Sequence, residues 1–164
     1  MTAFTRRDLF VAGGGLALAS IIGGRIPAAD ARPAGRFPYS LTEAQWRARL
    51  SPDAFAVLRQ EATERPGSSP LNSEHRRGTF HCAGCSQSLY SSAAKFDSGT
   101  GWPSFWQPLP HAIATSTDHS FGATRTEVHC ARCGGHLGHV FNDGPQPTGL
   151  RYCMNGVAMR FQQA

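Results

Sequence analysis

The fold depends on two related stretches of sequence, TFHCAGCSQSL at residues 79–89 and EVHCARCGGHL at residues 127–137. Each contains a strand-like run, a His, a CxxC pair and a turn of small residues, so the two form a weak internal repeat. The cysteines of the two pairs are Cys82, Cys85, Cys130 and Cys133. Two residues between thiols let both sulfurs of a pair face one ion, and two such pairs supply the four thiolates of a closed tetrahedral Zn²⁺ site. The spacing therefore predicts one structural zinc ion that joins two distant hairpins.

Disulfide bonds are the alternative use of the two CxxC pairs, because an exported protein meets an oxidising compartment. We favour zinc, since the N-terminal signal described below resembles those that carry proteins already folded, and metal could then bind in the reducing cytoplasm. His81 and His129 precede the two pairs. Four sulfurs already complete the coordination of the metal, so both histidines are interpreted as strand residues and not as ligands.

Residues 1–31 have the pattern of a removable export signal. A basic start, TRRDLF, precedes the uncharged apolar run VAGGGLALASII, and Ala29 and Ala31 form an A-x-A cleavage site. The apolar run is shorter than the about 20 residues that span a bilayer, so no stable membrane anchor is expected. The paired Arg6 and Arg7 resemble a twin-arginine signal. We therefore expect an exported, periplasmic bacterial protein; an uncleaved anchor or a chance basic tail is the alternative.

The rest of the chain divides into a Pro/Gly linker at residues 32–40 and one domain at residues 41–164. Two short helices are expected at the start of the domain, with Thr42 and Ser51 as their caps. From Gly78 onward, short alternating runs between turn residues predict a mainly β, antiparallel architecture. The net charge is +5, but no basic stripe marks a nucleic-acid interface, so no nucleic-acid partner is expected.

The fifth cysteine, Cys153, stands alone in the stretch GLRYCMNG. Alternate residues of a strand share a face, so Arg151, Cys153 and Asn155 should point the same way. An open cleft suits a cation, a thiol and an amide better than a core does, because Arg and Asn would need partners there. A neighbouring Arg also favours the thiolate, which is the nucleophilic form. A buried structural cysteine is the alternative.

A second cluster, GGHLGHVFNDGP, places His136 and His139 three residues apart in a Gly-rich segment that can approach a neighbouring strand closely. Two histidines supply proton donors or acceptors near pH 7, and Asp143 could orient one of them.

A third cluster, FDSGTGWPSFW, holds Trp102, Phe105 and Trp106 in a Gly/Pro loop. These aromatic side chains either pack beneath the loop or form a wall for an apolar ligand, and we expect a mixture of both.

Together the three clusters resemble the methionine sulfoxide reductase B family. The matching stretches are SGTGWPSFW, HLGHVFNDGP and GLRYCMNGVAMRF, with both CxxC pairs, and the resemblance covers about residues 41–161. It implies two antiparallel β-sheets in a partly open, barrel-like domain, with short N-terminal helices and a Cys₄ zinc site away from the chemistry. The implied reaction is reduction of methionine-(R)-sulfoxide, in proteins or free, to methionine.

The resemblance also implies roles for individual residues. Cys153 would be the nucleophile and would become a sulfenic acid as methionine leaves. His136 and His139 would handle the sulfoxide oxygen and nearby waters, and Trp102 would contact the ε-methyl group of the substrate. The other residues implied to position, polarise or bind the substrate are Arg151, Asn155, Asp143, Phe105 and Phe141.

Two positions depart from the commonest pattern of the family. Many members carry a recycling cysteine where this chain has Thr100. Since the other cysteines are assigned to zinc, we expect an external thiol, from a thioredoxin-like domain or a small molecule, to reduce the sulfenic acid after each oxidised protein substrate. Gly156 stands where relatives often have Ser, and little effect is expected from that change.

Two hypotheses from other classes compete with this interpretation. A zinc-ribbon interaction module would leave Cys153 as a structural residue, and a Cys–His hydrolase would use the same thiol and histidines on an ester or amide. The missing basic face, the export signal and the Arg-x-Cys-x-Asn pattern count against the first. A zinc deaminase is not expected, because no H-x-E precedes a P-C-x-x-C.

Overall fold

A computed structural model of the chain describes residues 37–164, so the predicted export signal and most of the predicted linker lie outside the described residues. Helix α1 spans Glu43–Arg49 and helix α2 spans Pro52–Gln60. Thr42 and Gln45 form the expected capping box on α1, and the Ser51 hydroxyl accepts a hydrogen bond from the third residue of α2. Both predicted caps are confirmed.

Nine β-strands follow the helices within residues 37–164. They are β1 (Gly78–Cys82), β2 (Ser88–Ser91), β3 (Lys95–Phe96), β4 (Ser104–Phe105), β5 (Ile113–Asp118), β6 (Arg125–Cys130), β7 (His136–Phe141), β8 (Arg151–Met154) and β9 (Met159–Gln163). They form a three-stranded sheet in the order β2-β1-β9 and a six-stranded sheet in the order β3-β4-β8-β7-β6-β5. All pairings are antiparallel, which confirms the predicted mainly β fold with two antiparallel sheets.

The two halves of the sequence repeat occupy equivalent places in the two sheets. Strand β1 ends at Cys82 and strand β6 ends at Cys130, so each CxxC pair forms the turn that leaves its strand. Because β1 belongs to the smaller sheet and β6 to the larger one, the four cysteines meet where the two sheets meet.

The core between the sheets is built on stacked aromatic rings. Phe105 lies parallel to Tyr90 with ring centroids 4.3 Å apart and meets Phe80 edge-on at 4.9 Å. All three side chains are fully buried. Helix α2 contributes Leu58 to the same cluster, so the helix is held by the burial of its apolar face.

The strand expected to carry Arg151, Cys153 and Asn155 ends before Asn155, which corrects the sequence-based interpretation of the stretch LRYCMNGVAMRF as one strand. Strand β8 ends at Met154, a 3₁₀ turn spans Gly156–Ala158, and β9 then joins the other sheet. The break is fixed by Glu64, whose carboxylate oxygens accept the backbone N–H groups of Gly156 and Val157 at 2.7 and 2.9 Å. In residues 37–164 no helix has the length and apolar character needed to cross a membrane.

Candidate active site and metal site

The four cysteines of the CxxC pairs form a buried cluster whose ligand atoms all lie within 4.8 Å of one another. The Sγ atoms of Cys82 and Cys133 are 3.7 Å apart and those of Cys85 and Cys130 are 3.6 Å apart. A disulfide bond requires about 2.05 Å, whereas sulfurs at 2.3 Å around a tetrahedral ion are about 3.8 Å apart. The residues therefore fit a tetrahedral metal ion.

Arginine side chains surround the turns that carry this cluster. Arg49 donates to the Gly84 carbonyl at 2.9 Å, and Arg132 donates to the Cys85 carbonyl at 2.9 Å. On the opposite turn, Arg59 donates to the Cys133 carbonyl at 3.1 Å. Four thiolates around a divalent cation carry two net negative charges, so cations at both turns also suit an occupied metal site.

The fifth cysteine lies in the middle of the larger sheet. Strand β8 runs between β4 and β7, and its register places Cys153 directly opposite Ser104 on one side and His139 on the other. Directly opposed residues of an antiparallel pair project to the same face. Strand β7 can approach so closely because Gly138 has φ +155°, and a Cβ there would lie 2.1 Å from the Cys153 carbonyl oxygen.

Cys153 opens into a cleft of about 120 Å³, and its side chain is partly exposed. The cleft is lined by Thr63, Trp102, Arg125, Gly138, His139, Phe141, Cys153 and Asn155. Of the sequence-predicted site residues, the structure thus brings the thiol, one histidine, Asn155 and the two aromatic residues Trp102 and Phe141 to one cleft.

The two histidines lie next to each other, with ring centroids 5.4 Å apart, but only one of them lines the cleft. His139 lines both the cleft and an inner pocket of about 230 Å³, whereas His136 lines only the inner pocket. The Nε2 atom of His136 is buried and has no hydrogen-bond partner among the described residues. His139 is therefore the histidine that faces the thiol.

Each histidine is oriented by a carboxylate that the sequence analysis did not identify. Asp118 lies 2.8 Å from Nε2 of His139, and Glu127 lies 2.8 Å from Nδ1 of His136. Burial raises the pKa of each carboxyl group, but hydrogen bonds outweigh it and hold both pKa values below their usual range. At Asp118 these bonds come from the Ser120 backbone and hydroxyl, His139 and Arg125, and at Glu127 from His129, His136 and Ser116. Burial lowers the pKa of His139 despite the hydrogen bond to Asp118.

Asp143 does not orient a histidine, which corrects the expectation from the sequence. Its two carboxylate oxygens each accept a hydrogen bond from Arg151 at 2.8 Å, and the same guanidinium lies 4.4 Å from the centroid of the Phe141 ring. The carboxylate of Asp143, together with the nearby Cys153 sulfur, raises the pKa of Arg151. Arg151 is thus a permanent cation beside the thiol, as the strand pattern predicted.

The segment after α2 holds two further site residues through Glu64. The Asn155 side chain accepts the Glu64 backbone N–H at 2.9 Å and donates to the Leu137 carbonyl at 3.1 Å. The Trp102 indole donates to the Glu64 carbonyl at 3.2 Å. Both side chains reach the cleft, but their polar atoms are held by backbone groups.

Phe105 does not line the cleft, which corrects its assignment as a substrate contact. It is fully buried between Tyr90 and Phe80, and a substrate has no access to it. Thr100, in contrast, occupies the position next to the thiol, with its hydroxyl oxygen 3.8 Å from the Cys153 sulfur.

A partly exposed thiol opposite a carboxylate-supported histidine, on a scaffold with a separate four-cysteine cluster, is the arrangement typical of cysteine-dependent enzymes. Comparison with known proteins identifies which one. The SelR domain family matches residues 50–163, so the chain belongs to the SelR family, whose named relatives are MsrB-type peptide methionine sulfoxide reductases.

Several curated relatives match most of their own length. The peptide methionine sulfoxide reductase MsrB of Bradyrhizobium diazoefficiens is 57% identical over 122 residues, which cover 74% of this chain and 88% of the relative. The MsrB of Thiobacillus denitrificans is 52% identical over 121 residues, with 73% and 92% coverage. That of Leptospira interrogans is 46% identical over 123 residues, with 74% and 94% coverage.

Proposed function

We propose that this chain reduces methionine-(R)-sulfoxide in oxidised proteins to methionine, with Cys153 as the nucleophile. The observation that carries the mechanism is the sheet register, which sets Cys153 directly opposite His139 at the edge of a cleft lined by Trp102 and Phe141. An apolar wall suits the methyl group of the substrate, and a polar wall suits its S–O bond. A binding module with a structural cysteine would have no use for this arrangement.

The first step is transfer of the oxygen from the substrate to the enzyme. The Cys153 sulfur attacks the sulfoxide sulfur, the S–O bond breaks, and methionine leaves as the thiol becomes a sulfenic acid. The substrate sulfur is reduced by two electrons and the enzyme sulfur is oxidised by two. The oxygen leaves poorly unless it is protonated, so a proton must reach it as the thiol proton departs.

His139 is suited to move that proton. Its Nε2 atom is engaged with Asp118, which leaves Nδ1 as the nitrogen that can exchange a proton. Because burial lowers its pKa, the imidazole is neutral near pH 7 and can take the proton of Cys153 and deliver it to the sulfoxide oxygen. Asp118, which is partly buried, stabilises the imidazolium formed in between, as a carboxylate does beside a catalytic histidine.

Arg151 and His136 have supporting roles. The Arg151 guanidinium favours a thiolate at Cys153. His136 and Glu127 form a second dyad behind His139, where they fix the position of the neighbouring ring.

Zinc is the metal that we assign to the four-cysteine cluster. Four thiolates complete a tetrahedral shell, so the ion would be structural and would take no part in the chemistry. Metal analysis of the purified protein tests the assignment: about one zinc per chain is expected, and a chain with two disulfide bonds and no metal would refute it.

Recycling of the enzyme requires a thiol from outside the chain. Thr100 lies where a second cysteine could reach Cys153, and the other four cysteines are buried in the metal cluster. Two external thiols therefore reduce the sulfenic acid, giving a disulfide of the donor and water. Mass spectrometry after oxidation by substrate tests this step, and an intramolecular disulfide at Cys153 would contradict it.

A single assay tests the proposed activity. Residues 32–164 are incubated with dithiothreitol and with the separate R and S epimers of a blocked methionine sulfoxide. Turnover of the R epimer alone is expected, with complete loss in Cys153→Ser and unchanged folding of that variant. Turnover of the S epimer, or retained activity in Cys153→Ser, would refute the proposal.

We further propose that residues 1–31 direct export, so that the enzyme repairs proteins in the periplasm. The support is the order of the basic start, the apolar run and the A-x-A site. Replacing Arg6 and Arg7 together by Lys tests the proposal in a Gram-negative host. The native chain should be found in the periplasmic fraction and the double variant in the cytoplasm, and equal export of both would exclude a twin-arginine route.

A further inference from the structure

Three hydroxyl groups form a chain of hydrogen bonds that ends at the Cys153 sulfur. The Thr100 oxygen lies 3.8 Å from Sγ, Ser98 lies 2.8 Å from Thr100, and Ser104 lies 2.7 Å from Ser98. At the far end, the Ser104 hydroxyl donates to the Trp102 carbonyl at 3.1 Å. Ser104 is fully buried, so the chain runs from the cleft into the protein interior.

Each hydroxyl has one hydrogen, and this fixes the direction of the whole chain. Because the Ser104 hydrogen points to the Trp102 carbonyl, the Ser104 oxygen must accept the hydrogen of Ser98. The Ser98 oxygen must then accept the hydrogen of Thr100. The Thr100 oxygen therefore faces Cys153 as an acceptor, which matches a protonated thiol that donates its S–H.

A thiolate requires the opposite direction. When Cys153 loses its proton, Thr100 can donate to the sulfur only if Ser98 donates to Thr100 and Ser104 donates to Ser98. The only covalent bond that breaks is the S–H bond of Cys153, whose proton leaves through the open cleft, while the three O–H groups rotate and keep their hydrogens. The reversal gives up only the hydrogen bond at the buried end, from Ser104 to the Trp102 carbonyl.

We propose that Ser98, Thr100 and Ser104 form a reversible hydroxyl relay that follows the charge of Cys153, accepting from the thiol and donating to the thiolate. Thr100 touches the reacting atom, whereas Ser98 and Ser104 are positioning residues that act through it. The inference rests on the proposed function only for its catalytic consequence, because the relay itself can be measured on the thiol without substrate.

The relay predicts that substitutions at Thr100 and Ser98 shift the pH midpoint of Cys153 ionisation in opposite directions. Thr100→Val removes the donor to the thiolate, so more alkaline conditions are needed to ionise Cys153. Ser98→Ala removes the group that accepts the Thr100 hydrogen. The Thr100 hydroxyl can then donate to the Cys153 sulfur without any other hydroxyl having to rotate, so Cys153 ionises at lower pH. A hydrogen bond of ordinary net strength corresponds to about 0.7 pH unit in either direction.

The experiment measures the rate of Cys153 alkylation by iodoacetamide against pH in the metal-loaded protein, with the modified peptide quantified by mass spectrometry. The charged and titratable groups around the cleft are Arg151, His139, Arg125, Glu64, Asp118 and Asp143, and all of them stay unchanged in the variants. Thr100→Ser keeps the hydroxyl and should match the wild type. Thr117→Val, an exposed position on β5, is the matched control and should also match it.

The expected result is an upward shift of the pH midpoint in Thr100→Val and a downward shift in Ser98→Ala. Shifts of the same sign, or no shift in Ser98→Ala, would overturn the relay. If Ser98→Ala does not fold, Ser104→Ala replaces it, because freeing the far end should also lower the midpoint. Turnover of methionine sulfoxide by the wild type is measured in parallel. Absence of turnover would refute the proposed function, and the shifts in the alkylation midpoint would still show whether the relay exists.

Discussion

Replacing Gly156 by Ser should destabilise the protein strongly, although the sequence alone predicts little effect. A Cβ atom at this position would lie 1.9 Å from the Ser69 hydroxyl oxygen and 2.4 Å from the Ser69 Cβ. Ordinary contacts begin at about 3.4 Å, so the distance to the Ser69 Cβ must grow by about 1 Å and the distance to the Ser69 hydroxyl oxygen by about 1.5 Å. Overpacking of this kind costs about 1–3 kcal/mol.

The same movement affects the carboxylate that fixes the turn. Glu64 accepts hydrogen bonds from the backbone N–H groups of Gly156 and Val157 at 2.7 and 2.9 Å, and a hydrogen bond to a charged group contributes about 1.5–3 kcal/mol. If one of them is lost, the total reduction in the free energy of unfolding is about 2.5–6 kcal/mol. Domains of this size are stable by about 5–15 kcal/mol, so the variant should fold unless the wild type lies at the lower end of that range.

Urea unfolding followed by circular dichroism measures this difference, and a second substitution tests its cause. Ser69→Gly removes both colliding atoms and by itself costs only a few tenths of a kcal/mol, because Gly is a tolerated helix cap. The double variant should recover at least half of the loss. If Gly156→Ser unfolds within about 0.5 kcal/mol of the wild type, or if Ser69→Gly restores nothing, the steric argument is wrong.

Three further predictions follow from the site. Asp118→Asn removes the charge that supports the His139 imidazolium, and should lower kcat by about 10- to 100-fold with little change in KM; the exposed Asp53→Asn serves as the control in steady-state assays. The pKa values of Asp118, Glu127 and His139 are all below their usual values, so the unfolded chain binds protons first as the pH falls. The free energy of unfolding in urea should therefore decline below about pH 6.5 through His139 and further below about pH 4 through the carboxylates, and a stability that is level from pH 7 to pH 3 would contradict the assignment. If the four cysteines hold a metal ion as proposed, Cys133→Ser leaves only three thiolates for it and should lower both the metal content, by elemental analysis, and the thermal midpoint of unfolding; an unchanged midpoint would contradict a structural metal.

The sequence was sufficient where a short motif determines its own structure. The CxxC spacing predicts that two sulfurs of one turn face a common centre, and the four atoms do meet. Thr42 and Ser51 cap their helices because a hydroxyl next to the first helical residues has a free backbone N–H within reach. The antiparallel arrangement likewise follows from alternating runs between turn residues.

The sequence was insufficient to place residues whose position depends on contacts between distant parts of the chain. Asp118 and Glu127 lie in strands among other polar residues, and nothing local distinguishes them from solvent-facing positions; strand pairing brings them to the histidines. Phe105 and Trp102 belong to one aromatic loop, but only the two-residue strand β4 shows that Phe105 enters the core. The strand break after Met154 depends on Glu64, about ninety residues earlier in the chain.

The pairing of β1 with β9 has a consequence for the protein under severe oxidation. Cys82 lies opposite Met159 in that pairing, and only five residues separate Met159 from the reactive thiol at Cys153. An oxidant that attacks the four clustered sulfurs would release the end of β1, then β9 and the turn that supports the cleft. Oxidants that generate the substrate would thus inactivate the repair enzyme once they reach these sulfurs, so the oxidant level that the enzyme tolerates depends on how well the sheets shield them.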